Sequence, residues 1–309
     1  MPLTGDAGFR RYFRFQVQNK SYIAVDAPVE LSNNQAFIQM QAHLHSVNVN
    51  VPKILAKDMT HGFLCLSDFG DTLLADKLSE DNMQQYYLQA IIELEKINLS
   101  SSSLTNELPE YDEAFVNTEL MIFQQWLLDK HLGIELSEHE QQELDNCFQY
   151  LSDAIMTQPQ VLMHRDYHSR NIMLIENQQL GVIDFQDAVK GPVVYDLVSL
   201  LRDCYVRWPD ALIAPVVEAY RLKMQASFPH QDISSATWQQ WFDLTGIQRH
   251  LKASGIFARL HHRDNKSNYL ADIPLTLTYI KDISRQYDKL SFLHLLISEQ
   301  VISALSEIA

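Results

Sequence analysis

Cysteine is scarce in this chain of 309 residues: Cys65, Cys147 and Cys204 are odd in number, far apart and form no C-x-x-C pair. They read as reduced thiols in a reducing compartment rather than as a disulfide framework. Basic residues are also few, 24 against 39 acidic, for a net charge of -15. That sign argues against a nucleic-acid or anionic-membrane partner. It would suit a cationic ligand, but acidic solubility explains it as readily. The opening MPLTGDAGFRRY lacks an apolar h-region, and no uninterrupted apolar run reaches membrane-spanning length. Internal repeats and low-complexity tails are missing as well. What is left, 46% hydrophobic and 20% charged residues, is the composition of an ordinary globular protein. The length suits one large two-lobed domain or two modest ones. We expect a soluble, cytoplasmic protein.

What is present concentrates in residues 161–187, VLMHRDYHSRNIMLIENQQLGVIDFQD. Short apolar runs at 161–163, 172–175 and 180–183, broken by Glu176, Asn177 and Gly181, have the pattern of small buried strands. The polar residues between them therefore sit on loops at strand ends, where chemistry is usually placed. They are His164, Asp166 and Asn171, spaced H-x-D-x-x-x-x-N, followed after a hairpin by Asp184. Phosphoryl transfer asks for this set. One carboxylate must orient the attacking hydroxyl and accept its proton, while a second carboxylate and an amide oxygen hold Mg²⁺ against the triphosphate. Asp166 fits the first role, Asn171 and Asp184 the second, and His164 positions the loop.

Upstream, Gly5, Asp6, Ala7 and Gly8 form a small flexible loop with Phe9, Arg10 and Arg11, leading into an alternating segment over 12–17. Phe13, Phe15 and Val17 point one way and Tyr12, Arg14 and Gln16 the other, as in a half-buried strand. A turn at Asn19-Lys20 and a strand over 21–26 follow, and a glycine loop between such strands can present backbone N–H groups to phosphates. A plain hairpin is the blander reading. Phe37, Met40, Leu44 and Val47 mark a helix over 33–47, with His43 and His45 as surface residues. Strands are expected over 53–57 and 62–66. Ser67, Asp68 and Phe69, with Gly70 and Asp71, then form the linker that would seat the adenine. From residue 73 the chain is mostly helical. Its core stripes are Met83, Tyr87, Ala90, Leu94 and Ile97, then Phe115, Ile122 and Trp126, then Leu144, Phe148, Leu151 and Ile155. Asp196 near a helix start is either a cap or a buried acid positioning the catalytic loop.

The segments His164-Arg165-Asp166…Asn171, Ile183-Asp184-Phe185-Gln186-Asp187 and Gly191-Pro192…Tyr195-Asp196-Leu197 resemble the aminoglycoside phosphotransferase/choline kinase family. Further stretches at 5–14, 26–28, 197–209, 248–260 and 269–274 are similar to one branch, the bacterial N-acetylmuramate/N-acetylglucosamine anomeric kinases of cell-wall recycling. The resemblance implies an α+β, two-lobed protein-kinase-like fold. Residues 1–70 would be a small antiparallel β N-lobe with one helix, and 71–309 a larger, mainly helical C-lobe. It also implies ATP and Mg²⁺ as cofactors, and transfer of the γ-phosphate to a sugar's anomeric hydroxyl. That hydroxyl belongs to a hemiacetal and is more acidic than an ordinary alcohol, so a carboxylate suffices as base.

Two family features are missing. The strand over 21–28 offers no lysine for the phosphates, and Gln35, Gln39 and Gln41 stand where the partner glutamate is expected. Arg10, Arg11 or Arg14 is expected to supply the cation. The sequence also starts close to the glycine loop, without the upstream helix expected of the family. For the substrate, Arg202, Arg207, Arg259 and His262 in the helical part could supply cations for a lactyl carboxylate or acetamido group, with Asp203 beside them; surface solvation or ion pairing with Asp203 or Asp264 is the blander reading. An aminoglycoside or choline-type phosphotransferase is the alternative. The first needs a carboxylate cluster and the second an aromatic cage, for which Tyr205, Trp208, Trp238 and Trp241 are candidates. A non-catalytic ATP-binding scaffold is the non-enzyme reading. Oligomeric state is not legible here.

Overall fold

The alternation over 12–17 becomes strand β2 (Arg11–Val17), and Gln18 and Asn19, with φ of 49° and 64°, supply the tight turn into β3 (Lys20–Asp26). The two pair antiparallel from Arg11 opposite Asp26 to Val17 opposite Lys20. This is a computed structural model describing residues 1–3, 9–100, 107–231 and 233–308. It comprises two compact units, residues 1–109 with 161–190 and residues 110–160 with 191–309. The boundary expected at residue 70 falls inside the first.

In the first unit β1 (Pro2–Leu3), β2, β3, β4 (Ile54–Asp58) and β5 (Phe63–Ser67) form one antiparallel sheet in the order β1-β2-β3-β5-β4. Its buried face carries Ile23, Val25, Leu64 and Leu66. The alternation in β2 holds, but its apolar side is the open one: Phe13, Phe15 and Val17 are 38%, 39% and 51% exposed. Helix α1 (Asn34–Ser46) starts at Asn33, whose side chain accepts the Ala36 N–H at 3.0 Å. Phe37, Met40 and Leu44 are its core face. His43, expected at the surface, is instead buried and bonded to Ser100 Oγ at 2.9 Å, and burial lowers its pKa.

Helix α2 (Met83–Asn98) buries all five residues of its expected stripe. It anchors the catalytic segment at two points: Asn98 Nδ2 donates to the Leu162 carbonyl at 2.7 Å, and Tyr167 Oη to the Ala90 carbonyl at 2.8 Å. The segment itself runs from β6 (Gln160–Met163), whose ladder partner is β9 (Val189–Pro192), into the hairpin of β7 (Ile172–Leu174) and β8 (Leu180–Val182). Asn50 holds that hairpin from the side. Its carbonyl accepts the Val182 N–H at 2.8 Å and its amide donates to the Leu180 carbonyl at 3.1 Å.

The second unit is helical: α3 (Glu113–Ile122), a π-helical continuation Phe123–Leu132, α4 (Glu138–Met156), α5 (Tyr195–Leu201), α6 (Asp210–Ser227), α7 (Ser235–Asp264), α8 (Ile273–Ser284), and short helices from Ser291 to Ile308. α7 is the central member and is buried on nearly every side over 241–258. Gly255 permits this, because a Cβ there would lie 2.5 Å from the Ile122 carbonyl oxygen. At this close approach α3 widens into the π-helical turn. Val116, Leu120, Phe123 and Leu127, spaced as on one face of a helix, form the core face together with Leu128, in place of the expected Phe115, Ile122 and Trp126.

Candidate active site

The backbone of the catalytic loop is folded onto itself by local bonds. The Asp166 carbonyl accepts both the His168 N–H and the Asn171 amide, each at 3.0 Å. His164 Nε2 lies 3.1 Å from the Ile183 carbonyl, tying the start of the loop to the residue before Asp184. Arg165 and Asp184 have φ of 77° and 64°. Asp tolerates this left-handed region better than most residues, and its use at both ends of the loop marks a backbone shaped for a task.

These constraints bring three of the expected residues together. Asn171 Nδ2 is 3.4 Å from Asp184 Oδ2, and Gln186 Nε2 donates to Asp184 Oδ1 at 2.7 Å and to Asp187 Oδ2 at 3.3 Å. Protein packed around the Asp184 carboxylate raises its pKa, as do the charges of Asp166 and Asp187, while Gln186 and His168 oppose the shift. The residue nonetheless keeps open surface. Water and small ions therefore reach it. The Asp184 carboxylate is a hard oxygen donor of the kind a magnesium ion prefers, and Asn171 and Gln186 here turn their amide nitrogens toward it. Gln186 and His168 were not singled out from the sequence; only their closeness to Asp184 and Asn171 along the chain could have drawn attention to them.

The three candidate arginines separate clearly. Arg14 donates to Asp68 at 2.6 and 3.0 Å, to Asp71 at 2.6 and 2.7 Å and to the Gly70 carbonyl at 2.9 Å. Arg11 is exposed and paired with Asp26. Arg10 donates one bond, Nη2 to the Asn33 carbonyl at 3.1 Å, and its guanidinium lies 5.4 Å from the Phe37 ring centroid. Phe37 in turn packs on Phe185, beside Asp184, at 5.0 Å. The neighbouring Tyr12 has its pKa raised, mostly by burial, and senses both Arg10 and Asp184. Arg10 thus belongs to the Asp184 neighbourhood, and Arg14 to the linker.

In that linker Asp68 has its oxygens engaged by Arg14, by Ser21 Oγ at 2.6 Å and by the Gly70 N–H at 2.9 Å. Ser67 Oγ accepts the Lys53 N–H at 2.8 Å. Phe69 packs on the β7–β8 hairpin so tightly that a Cβ on Gly181 would meet its ring at 2.6 Å. These side chains therefore shape the linker, and the Ser67 N–H donates to the Lys53 carbonyl at 2.9 Å. Gly5, Asp6, Ala7 and Gly8 lie outside the described residues.

In the helical unit Arg202 donates to Asp243 at 2.7 Å and stacks over Phe242 at 4.3 Å, while His250 Nε2 is 2.9 Å from its carbonyl. Arg207 bonds Asp282 at 2.8 Å and lies over the Tyr279 ring at 4.8 Å. Asp203 is buried and accepts the Tyr205 N–H at 3.2 Å. Arg259 is half-buried, its pKa lowered first by burial and then by Arg263, and its Nε has no hydrogen-bond partner. Asp196 is buried in the first turn of α5, which has no side-chain cap. Tyr205 stacks near Phe257 and Trp238 between Tyr220 and Trp241, as core packing.

A sequence model of a phosphotransferase enzyme family matches residues 1–254. An N-acetylmuramate/N-acetylglucosamine kinase of Pseudomonas aeruginosa is 38% identical over 91% of this chain and 82% of its own. One from Neisseria meningitidis is 36% identical over 96% of this chain and 89% of its own. Among solved structures, a choline kinase from Streptococcus pneumoniae superposes with a TM-score of 0.63 at 13% identity, covering 91% of this chain and 92% of that one. The last likeness bears on the fold, and agrees with the expected kinase-like architecture.

Proposed function

Since the chain belongs to the phosphotransferase enzyme family, we propose that it transfers the γ-phosphate of ATP to the anomeric hydroxyl of N-acetylmuramate or N-acetylglucosamine. The observation that carries this reading is the similarity to kinases of that name along nearly the whole chain. The grouping of Asp166, Asn171 and Asp184 supports it with the chemistry the reaction needs.

In this reading Asp166 accepts the proton of the sugar hydroxyl as its oxygen attacks the γ-phosphorus; the new O–P bond forms as the bond to the ADP oxygen breaks. Asn171 and Asp184 hold Mg²⁺, which when bound neutralises charge on the phosphates. Gln186 keeps the Asp184 carboxylate oriented, and His164 and Asp196 position the loop. Residues 67–69 run along the nucleotide base, and residues 164–184 supply the catalytic loop and its metal ligands. In the acceptor site Arg259 is the cation for the lactyl carboxylate, because Arg202 and Arg207 are held by Asp243 and Asp282. No helix among the described residues is long and apolar enough to cross a membrane, and a cytoplasmic setting supplies the nucleotide.

Arg10 takes the place of the missing lysine. Arg10→Ala is expected to weaken ATP binding by roughly 10–100-fold, the worth of a charge-assisted hydrogen bond. Arg11→Ala should leave it within about twofold, since an exposed ion pair contributes little. Calorimetric titration of both variants checks this, and unchanged affinity in Arg10→Ala would remove the assignment.

The reaction itself is tested by ADP release with Mg·ATP and four acceptors: N-acetylmuramate, N-acetylglucosamine, kanamycin and choline. Turnover with the amino sugars is expected. Turnover with kanamycin or choline alone would overturn the acceptor, and nucleotide binding without turnover on any of them would support a scaffold.

A further inference from the structure

Three imidazoles meet on the helical unit, at the end of the helix that carries Arg259 and apart from Asp166, Asn171 and Asp184 along the chain. His131 lies in the last turn of the π-helical segment Phe123–Leu132, which stops at Gly133 with φ 65°. His261 and His262 lie in the last turn of α7, which stops at Asn265 with φ 55°. His131 Nδ1 and His262 Nε2 are 3.1 Å apart, and one ring nitrogen from each of the three residues falls within 4.8 Å of the others. The rings stand edge to face, at interplanar angles of 77°, 69° and 68°. Nitrogens rather than ring faces therefore converge.

We propose that His131, His261 and His262 form a binding site for a divalent transition-metal ion of the zinc class. Two nitrogens each about 2.0–2.1 Å from a tetrahedral Zn²⁺ must lie about 3.3 Å from one another, close to the separation already present between His131 and His262. Ser267 Oγ sits 2.9 Å from His261 Nδ1. That bond fixes the His261 ring and leaves Nε2 as its ligating atom, the arrangement usual for metal-bound histidine. Two helices end here, and their unsatisfied carbonyl ends give the spot a partial negative potential that favours a cation. Burial, and then the neighbouring histidines, hold His131 below the ordinary imidazole value; burial, His261 and Lys130 do the same for His262.

The charged groups nearby oppose one another. Lys130 repels a cation, but its ammonium lies over the Trp126 ring at 4.6 Å, and Arg263 is paired with Asp264 at 2.9 Å. Nitrogen ligands select zinc, nickel or copper over magnesium, so this site is chemically distinct from the carboxylate–amide group at Asp184. With three protein ligands and partly open surface, the ion keeps a position for water. It would tie the π-helical segment to the end of α7. The proposal does not depend on the acceptor.

The test uses the full chain without a histidine tag, stripped by chelator and titrated with Zn²⁺ under excess Mg²⁺, which occupies the oxygen site. Wild type is compared with His262→Ala, His131→Ala and the conservative His262→Gln. One ion per wild-type chain is expected, with affinity falling at least tenfold in each variant. Zn²⁺ should raise the thermal midpoint of wild type alone, and Co²⁺ should give a tetrahedral visible band that the variants lose. Wild-type stoichiometry and affinity in the variants would overturn the site, as would no binding by wild type. In either case the contact between His131 and His262 is a hydrogen bond and nothing more.

Discussion

Asp166→Asn is expected to lower kcat by about 10²–10⁴-fold, the usual contribution of a positioned general base, while ATP affinity and thermal midpoint stay near those of wild type. The selectivity of the loss follows from how the loop is built. The bonds that shape it, from His168 N–H and the Asn171 amide, both end on the Asp166 backbone carbonyl rather than its side chain. An asparagine preserves those bonds and the side-chain volume, yet its amide cannot accept the hydroxyl proton. Steady-state kinetics with nucleotide titration separates the two effects. A kcat within about tenfold of wild type would leave the reaction without its proposed base.

The largest expected loss of stability lies elsewhere, in the helical unit. Lys252 Nζ is 2.6 Å from Glu119 Oε1, and both side chains are almost entirely removed from water. The same carboxylate accepts the Tyr111 hydroxyl at 2.6 Å and the Gln248 amide at 3.1 Å, and Lys252 also donates to Tyr195 Oη at 3.1 Å. Lys252→Met keeps the volume and removes the counter-charge at 2.6 Å from a buried carboxylate that also accepts from Tyr111 and Gln248. A loss of about 3–5 kcal/mol is expected for breaking one side of such a pair. Glu119→Leu combined with Lys252→Met should be less destabilised than the sum of the two single changes, because the second removes the group the first left stranded. Urea unfolding of all three variants reads both effects. A loss below about 1 kcal/mol in Lys252→Met would mean that Glu119 is satisfied without the lysine.

The grouping of Asp166, Asn171 and Asp184 was legible because the three are close along the chain. Asp166, Asn171 and Asp184 span one loop and one hairpin, so spacing and short apolar runs carried most of the information. The cation was not legible in the same way. Arg14 is held by Asp68 and Asp71, residues 54 and 57 positions away, and only the fold reveals that carboxylates hold it while Arg10 bonds a backbone carbonyl. The helical stripe of Phe115, Ile122 and Trp126 had the right period and the wrong phase: Val116, Leu120, Phe123 and Leu127 recur at the same helical spacing and are the buried face. In β2 the alternation was right and its direction was not, because period-two patterning states that two faces differ without saying which is covered. Likewise His43 and His45 looked equivalent two residues apart, and only contact with Ser100 distinguishes the buried one.

The measurement that tests the central claim most directly is ³¹P NMR of the product formed from N-acetylmuramate and Mg·ATP. The account predicts a phosphate ester on the anomeric carbon, recognised by coupling of its phosphorus to the anomeric proton. A phosphate on any other hydroxyl, or an unmodified sugar in the presence of bound nucleotide, would contradict it.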